Sequence, residues 1–118
     1  YTATKISAGE YFQCALFSNG KVKCWGANTY GQLGLESTSH RGDAAGEMGS
    51  NLPFINLGSG VSVKDLQTGV AHACAILNNN RVKCWGWNHR GQLGLGDTTM
   101  RGHAAGTMGD NLPYVDLG

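Results

Sequence analysis

The sequence predicts an all-β chain of two four-stranded blades, each of about 60 residues, the repeating unit of a β-propeller. Three observations predict it. The chain matches itself at an offset of 60: residues 1–58 align with 61–118 without a gap, and 28 of the 58 positions are identical. Each copy contains a hairpin with alternating apolar residues around a turn signal. Glycine supplies 19 of 118 residues without a collagen period, which fits many tight turns between short strands. The copies define two units, 1–60 and 61–118, joined by Ser59 and Gly60.

In chain order, Ala3–Ala8 and Val61–Thr68 read as first strands, ended by Gly9 and Gly69. The hairpin follows. FQCALF at 12–17 and KVKCW at 21–25 flank Ser18-Asn19-Gly20, whose residues tolerate positive φ. The second copy has ACAIL, Asn78-Asn79-Asn80 and RVKCW. A three-residue loop pairs Phe17 with Lys21, hence Leu16 with Val22, Ala15 with Lys23 and Cys14 with Cys24. That register places Cys14, Leu16, Val22 and Cys24 on one face, as it does Cys74, Ile76, Val82 and Cys84. Pro53–Leu57 and Pro113–Leu117 read as fourth strands, with proline at an edge position. The stretches 27–52 and 87–112 between strands three and four recur in both copies, so they are expected to be ordered parts of the unit.

Four cysteines allow three connectivities. The register makes Cys14–Cys24 and Cys74–Cys84 direct cross-strand neighbours, which favours one disulfide per hairpin and an oxidising compartment. Buried free thiols are the alternative; zinc fits poorly because there is no C-x-x-C knuckle. A net charge of +1 and 14% charged residues give no electrostatic case for nucleic acid. No apolar run approaches the ~20 residues of a membrane span.

The strings CALFSNGKVKCWGANTYGQLG and CAILNNNRVKCWGWNHRGQLG resemble the repeat of the regulator of chromosome condensation family. That family's pattern appears here as Gly69-x-x-His72-Ala73-Cys74-Ala75-Ile76 and Trp85-Gly86-x-Asn88-x-x-Gly91-Gln92-Leu93-Gly94, with Phe12 replacing the histidine in the first copy. The resemblance implies propeller blades, commonly seven to a ring, so two blades call for further blades or several copies. It also implies a structural hydrogen bond for His72. The paired cysteines and the Met-Gly-x-Asn-Leu-Pro endings look like those of secreted or cell-surface members.

No catalytic constellation, P-loop or dinucleotide fingerprint is present, so a non-enzyme without cofactors is expected. Asp43, Glu47, Asp97, Asp110 and Asp116 follow no calcium-binding pattern, and no metal is expected. Arg41-Gly42-Asp43 spells an integrin-recognition tripeptide, but the second copy reads Arg101-Gly102-His103. Recognition or assembly is expected in the long loops, through Arg41, Asp43, Glu47, Trp87, His89, Arg101 and His103. A competing reading makes each loop a clasp over its own blade, anchored by Arg41, Met48 and Leu52 or by Arg101, Met108 and Leu112.

The leading function is an extracellular or cell-surface binding scaffold for a protein or glycan ligand. The alternatives are a structural subunit of a head-to-tail filament or ring and, after it, a guanine-nucleotide exchange factor. Expected partners are other copies of the repeat or further blades. Because the two ends are uncapped repeats, the isolated pair is expected to associate rather than stay monomeric.

Overall fold

The computed structural model describes residues 2–118. Six strands form two antiparallel three-stranded sheets. Blade 1 holds β1 (Ala3–Ala8), β2 (Phe12–Phe17) and β3 (Val22–Gly26); blade 2 holds β4 (Val63–Thr68), β5 (His72–Leu77) and β6 (Val82–Gly86). Each sheet runs in sequence order, so short turns suffice. The hairpin register has Leu16 opposite Val22 and Cys14 opposite Cys24, with Ile76 opposite Val82 and Cys74 opposite Cys84. Disulfides join both cysteine pairs, with Cα atoms 4.0 and 4.1 Å apart. Gly20 (φ 77°) and Asn80 (φ 65°) close the turns in the left-handed region that a three-residue hairpin loop requires.

The expected fourth strands are not strands. Pro53–Leu57 and Pro113–Leu117 each lay one backbone bond on the preceding edge, Ile55 N–H to Val22 O (2.8 Å) and Val115 N–H to Val82 O (2.8 Å). Proline has no N–H to contribute to a ladder, and the segment leaves the edge beyond that bond.

The long loops are ordered by one buried asparagine each. Asn28 Nδ2 donates to Ser37 O (3.0 Å) and Ser39 O (2.9 Å), and its Oδ1 accepts from Leu33 N–H (3.0 Å). Asn88 repeats this with Asp97 O, Thr99 O and Leu93 N–H. Arg41 and Arg101 then exchange backbone bonds with Gly26 and Gly86, and a short 3-10 turn precedes Leu52 and Leu112.

The core lies between the blades. Cys14, Leu16, Val22, Cys24 and Ile55 of blade 1 share a buried cluster with Leu66, Ala73, Ala75, Trp85 and Met108 of blade 2. The two blades therefore bury opposite faces. Leu66 is 1% exposed while its equivalent Ile6 is 61% exposed; Leu16 is 6% exposed while Ile76 is 40% exposed. Met48 is not an anchor: it is 42% exposed, against 4% for Met108, because only Met108 has a neighbouring blade over it.

Candidate aromatic recognition surface

The turn between β1 and β2 and the start of the long loop build one exposed end of the molecule. Tyr11 sits in the turn with φ 65° and is 82% exposed. Such a conformation is unfavourable for a bulky residue. Glu10 N–H donates to Val70 O (3.1 Å), tying this turn to the corresponding turn of blade 2. Ala27 N–H donates to Tyr11 O and Trp87 N–H to Ala71 O, so both loops leave their sheets through the equivalent backbone bond.

That geometry brings aromatic rings from both blades together. Tyr30 stacks on Trp87 with centroids 4.4 Å apart and planes 19° apart. Trp87 stacks on His89 at 3.6 Å and 12°. Arg90 Nε donates to His89 Nε2 (3.0 Å), which orients the imidazole. Beside the stack lies a groove of about 290 Å³ lined by Glu10, Tyr11, Ala27, Tyr30, Val70 and Trp87. Flat ring faces next to an acidic side chain suit a ligand with an apolar or cationic surface.

Trp87 and His89 are the two sequence-predicted loop residues the structure brings together. The other five go elsewhere. Glu47 Oε1 accepts from the N–H groups of Gly42 (3.0 Å), Asp43 (3.2 Å) and Ala44 (3.1 Å), bracing its own loop. Thr107 Oγ1 does the related work in blade 2 by accepting from Gly102 N–H (2.9 Å). The Asp43 side chain is exposed. The Arg101 guanidinium holds Asp97 Oδ2 (3.1 Å) and Thr99 O (3.1 Å). The Thr99 N–H and then Arg101 keep the Asp97 carboxyl below its ordinary value. The Arg41 Nε is buried without a partner among the described residues. His103 belongs to the joint between blades, its backbone within 2.5 Å of where a Cβ on Gly31 would stand. No group of three His, Cys, Asp or Glu side chains among the described residues could hold a metal.

Sequence reasoning missed Tyr30, Tyr11 and Glu10. Tyr30 aligns with Arg90 and Tyr11 with Ala71, so the repeat does not mark them. The available signal was Trp87 itself, an aromatic added where the first copy has Ala27. His72 also differs from the expectation. Its ring packs on Gly69, where a Cβ would stand 2.2 Å from His72 Cε1, and no side-chain bond to it occurs among the described residues. Phe12 fills the same place over Gly9, which explains how phenylalanine replaces the histidine.

Sequence models of the Regulator of chromosome condensation (RCC1) repeat match residues 3–32 and 63–92, and a second model matches 19–76 across the linker. The ultraviolet-B receptor UVR8 of Arabidopsis thaliana is 31% identical over 118 residues, covering 97% of this chain and 25% of the receptor. Protein pim1 of Schizosaccharomyces pombe is 30% identical over 95 residues, covering 80% of this chain and 17% of that protein. Among solved structures, human WBSCR16 superposes with a TM-score of 0.66 at 22% identity, over 98% of this chain and 26% of that one. Prp20p of Saccharomyces cerevisiae gives 0.68 at 17% identity, over 98% and 26%. The chain thus spans about a quarter or less of these relatives, and the structural matches speak to fold. With both repeats matched and the same blade geometry recovered, the chain belongs to the regulator of chromosome condensation repeat family, as a two-blade β-propeller segment.

Proposed function

We propose that this chain is a non-catalytic binding scaffold on the extracellular or cell-surface side, two neighbouring blades (1–60 and 61–118) of a larger propeller. The observation that carries the reading is the Tyr30–Trp87–His89 stack, built from both blades beside the Glu10/Tyr11 groove, with Tyr30 and Trp87 half-buried and His89 exposed. Rigid sheets hold these rings in place before any ligand arrives, which lowers the ordering cost of binding. The two disulfides support an oxidising compartment. No helix of the described residues is long and apolar enough to cross a membrane.

The ligand is a glycan or a protein segment that lays an apolar face on the rings. The solved relative Prp20p has binding properties toward Gsp1p and histones, which supports protein recognition as a use of this fold. Saturation-transfer NMR of the parent protein against panels of oligosaccharides and of peptides tests the reading. A signal present in the native protein and lost in W87A and Y30A supports it. Equal signals in native and W87A proteins, or none across both panels, overturns it. Assembly into a filament of identical copies is the second reading, favoured by the bare apolar faces at both ends.

A further inference from the structure

Each blade has two faces, and the chain covers one of each. Blade 2 covers the Leu16, Gly31 and Gly34 face of blade 1, while the equivalent Ile76, Gly91 and Gly94 face of blade 2 stands open. Blade 1 covers the Leu66, Trp85 and Met108 face of blade 2, while the Ile6, Trp25 and Met48 face of blade 1 is at least partly open. The inner joint therefore shows what a flanking joint requires.

One side chain in that joint gathers three backbone donors of the other blade. Glu36 Oε2 reaches across and accepts from three consecutive N–H groups of blade 2: Gly106 (2.8 Å), Thr107 (3.1 Å) and Met108 (3.2 Å). Its backbone lies in the left-handed region, φ 58°, where the equivalent residue is Gly96 with φ 77°. Glycine is the unstrained choice there, and a strained non-glycine residue is held by surrounding interactions. Here those interactions are three bonds to a carboxylate, which are charge-assisted.

Blade 1 builds the same concavity of donors. Gly46 and Gly49 have φ of 83° and 67°, matching 82° and 69° at Gly106 and Gly109. No carboxylate among the described residues accepts from the N–H groups of Gly46, Glu47 and Met48. We infer that the bare face of blade 1 docks a preceding repeat of this same kind whose carboxylate, at the position of Glu36, enters the Gly46–Met48 nest. This rests on the reading that further blades flank the pair, and adds a rule for which blade fits.

A second copy of this chain is a weaker-fitting neighbour than such a repeat on three counts. Its Gly96 brings no carboxylate. Its Asn80 stands where Gly20 leaves room, a Cβ at Gly20 falling 2.6 Å from Ser62 Cβ. Gln13 on the receiving face stands where the inner joint buries Ala73 completely. Lys5, paired with Asp65 across the joint, would find Asp65 again at a copy-to-copy junction and does not discriminate.

Glu36 therefore acts as a key for blade order, and the key can be moved. In N80G/G96E the outgoing face of blade 2 carries both the clearance and the carboxylate, so self-association should tighten about tenfold relative to N80G/G96Q. Sedimentation equilibrium reads the affinity, and amide shifts confined to Gly46, Glu47 and Met48 locate the contact. Equal affinity of the two variants, or shifts elsewhere, overturns the key while leaving blade stacking intact. Strict monomers in native protein and both variants overturn the key and the flanking-blade reading together. If these variants do not fold, E36Q probes the inner joint: hydrogen exchange at Gly106–Met108 should quicken, and unchanged exchange overturns the key.

Discussion

His72 stands where the first repeat has Phe12, an ionisable ring in place of an apolar one. Burial holds its imidazole below the ordinary 6.5, because the packed ring on Gly69 disfavours the charged form. The native state then binds fewer protons than the unfolded chain just below that value. Stability is fully present above about pH 6.5 and is lost as pH falls toward the native value. Thermal melts at about pH 7.5 and pH 5.5 should show a drop that H72F, the side chain of blade 1, reduces; equal drops in both proteins would refute it. Lys83 gives a second residue-level test. It is 3% exposed, and its Nζ donates to Leu57 O (2.7 Å) and Gly109 O (2.9 Å). Burial lowers its pKa, which Tyr114 and Asp110 nearby oppose. K83A removes the partner of two carbonyls and should lose ~2–3 kcal/mol in urea unfolding. K23A removes an exposed bond to Gly49 O and a cation placed over the Phe54 ring, and should cost less than ~1 kcal/mol.

At the scale of elements, the two repeats are alike in backbone and unlike in burial. Met108 packs near Gly34, where a Cβ would meet its Cε at 3.1 Å, whereas Met48 faces outward. M108A should therefore destabilise by ~2–4 kcal/mol and M48A by less than ~0.5 kcal/mol, read from denaturant midpoints. The hairpins divide in the same way. Cys14 and Cys24 are completely buried under blade 2, while Cys74 is only half-buried on the open face. Graded reduction followed by alkylation and peptide mapping should open Cys74–Cys84 first, since attack requires access to a sulfur. Opening Cys14–Cys24 first, or finding a Cys24–Cys74 link, would contradict this arrangement. The linker is a third element held in place: Asp110 accepts from the Ser59 N–H (2.8 Å) and Ser59 Oγ (2.9 Å), and these bonds keep its carboxyl below the ordinary value.

For the whole molecule, the decisive feature is an interface repeated but only once satisfied. The open face of blade 2 carries a shallow recess of about 210 Å³ around Gln67, Cys74 and Ile76. Exposed apolar surface of this kind drives association. The isolated chain should self-associate weakly in sedimentation velocity, and I76D should shift it toward monomer. A native chain that is monomeric at all concentrations, or an I76D variant that associates as strongly, would refute this.

The chain alone determined what is local. The hairpin register, both disulfide pairings and the three strands of each sheet follow from period-two alternation and turn residues within some 25 positions. The fourth strand was misjudged because an apolar segment after proline has a strand's composition without its donors, and only the edge it meets shows how many bonds form. The candidate site was half legible: Trp87 and His89 stand out between the copies, while Tyr30 comes from the other blade and joins them through packing. The same limit applies to Met48 and Met108, equivalent in the repeat and opposite in burial. A repeat encodes both faces of every blade equally; which face becomes core depends on where the neighbouring blade stands, and that is a property of the assembled fold.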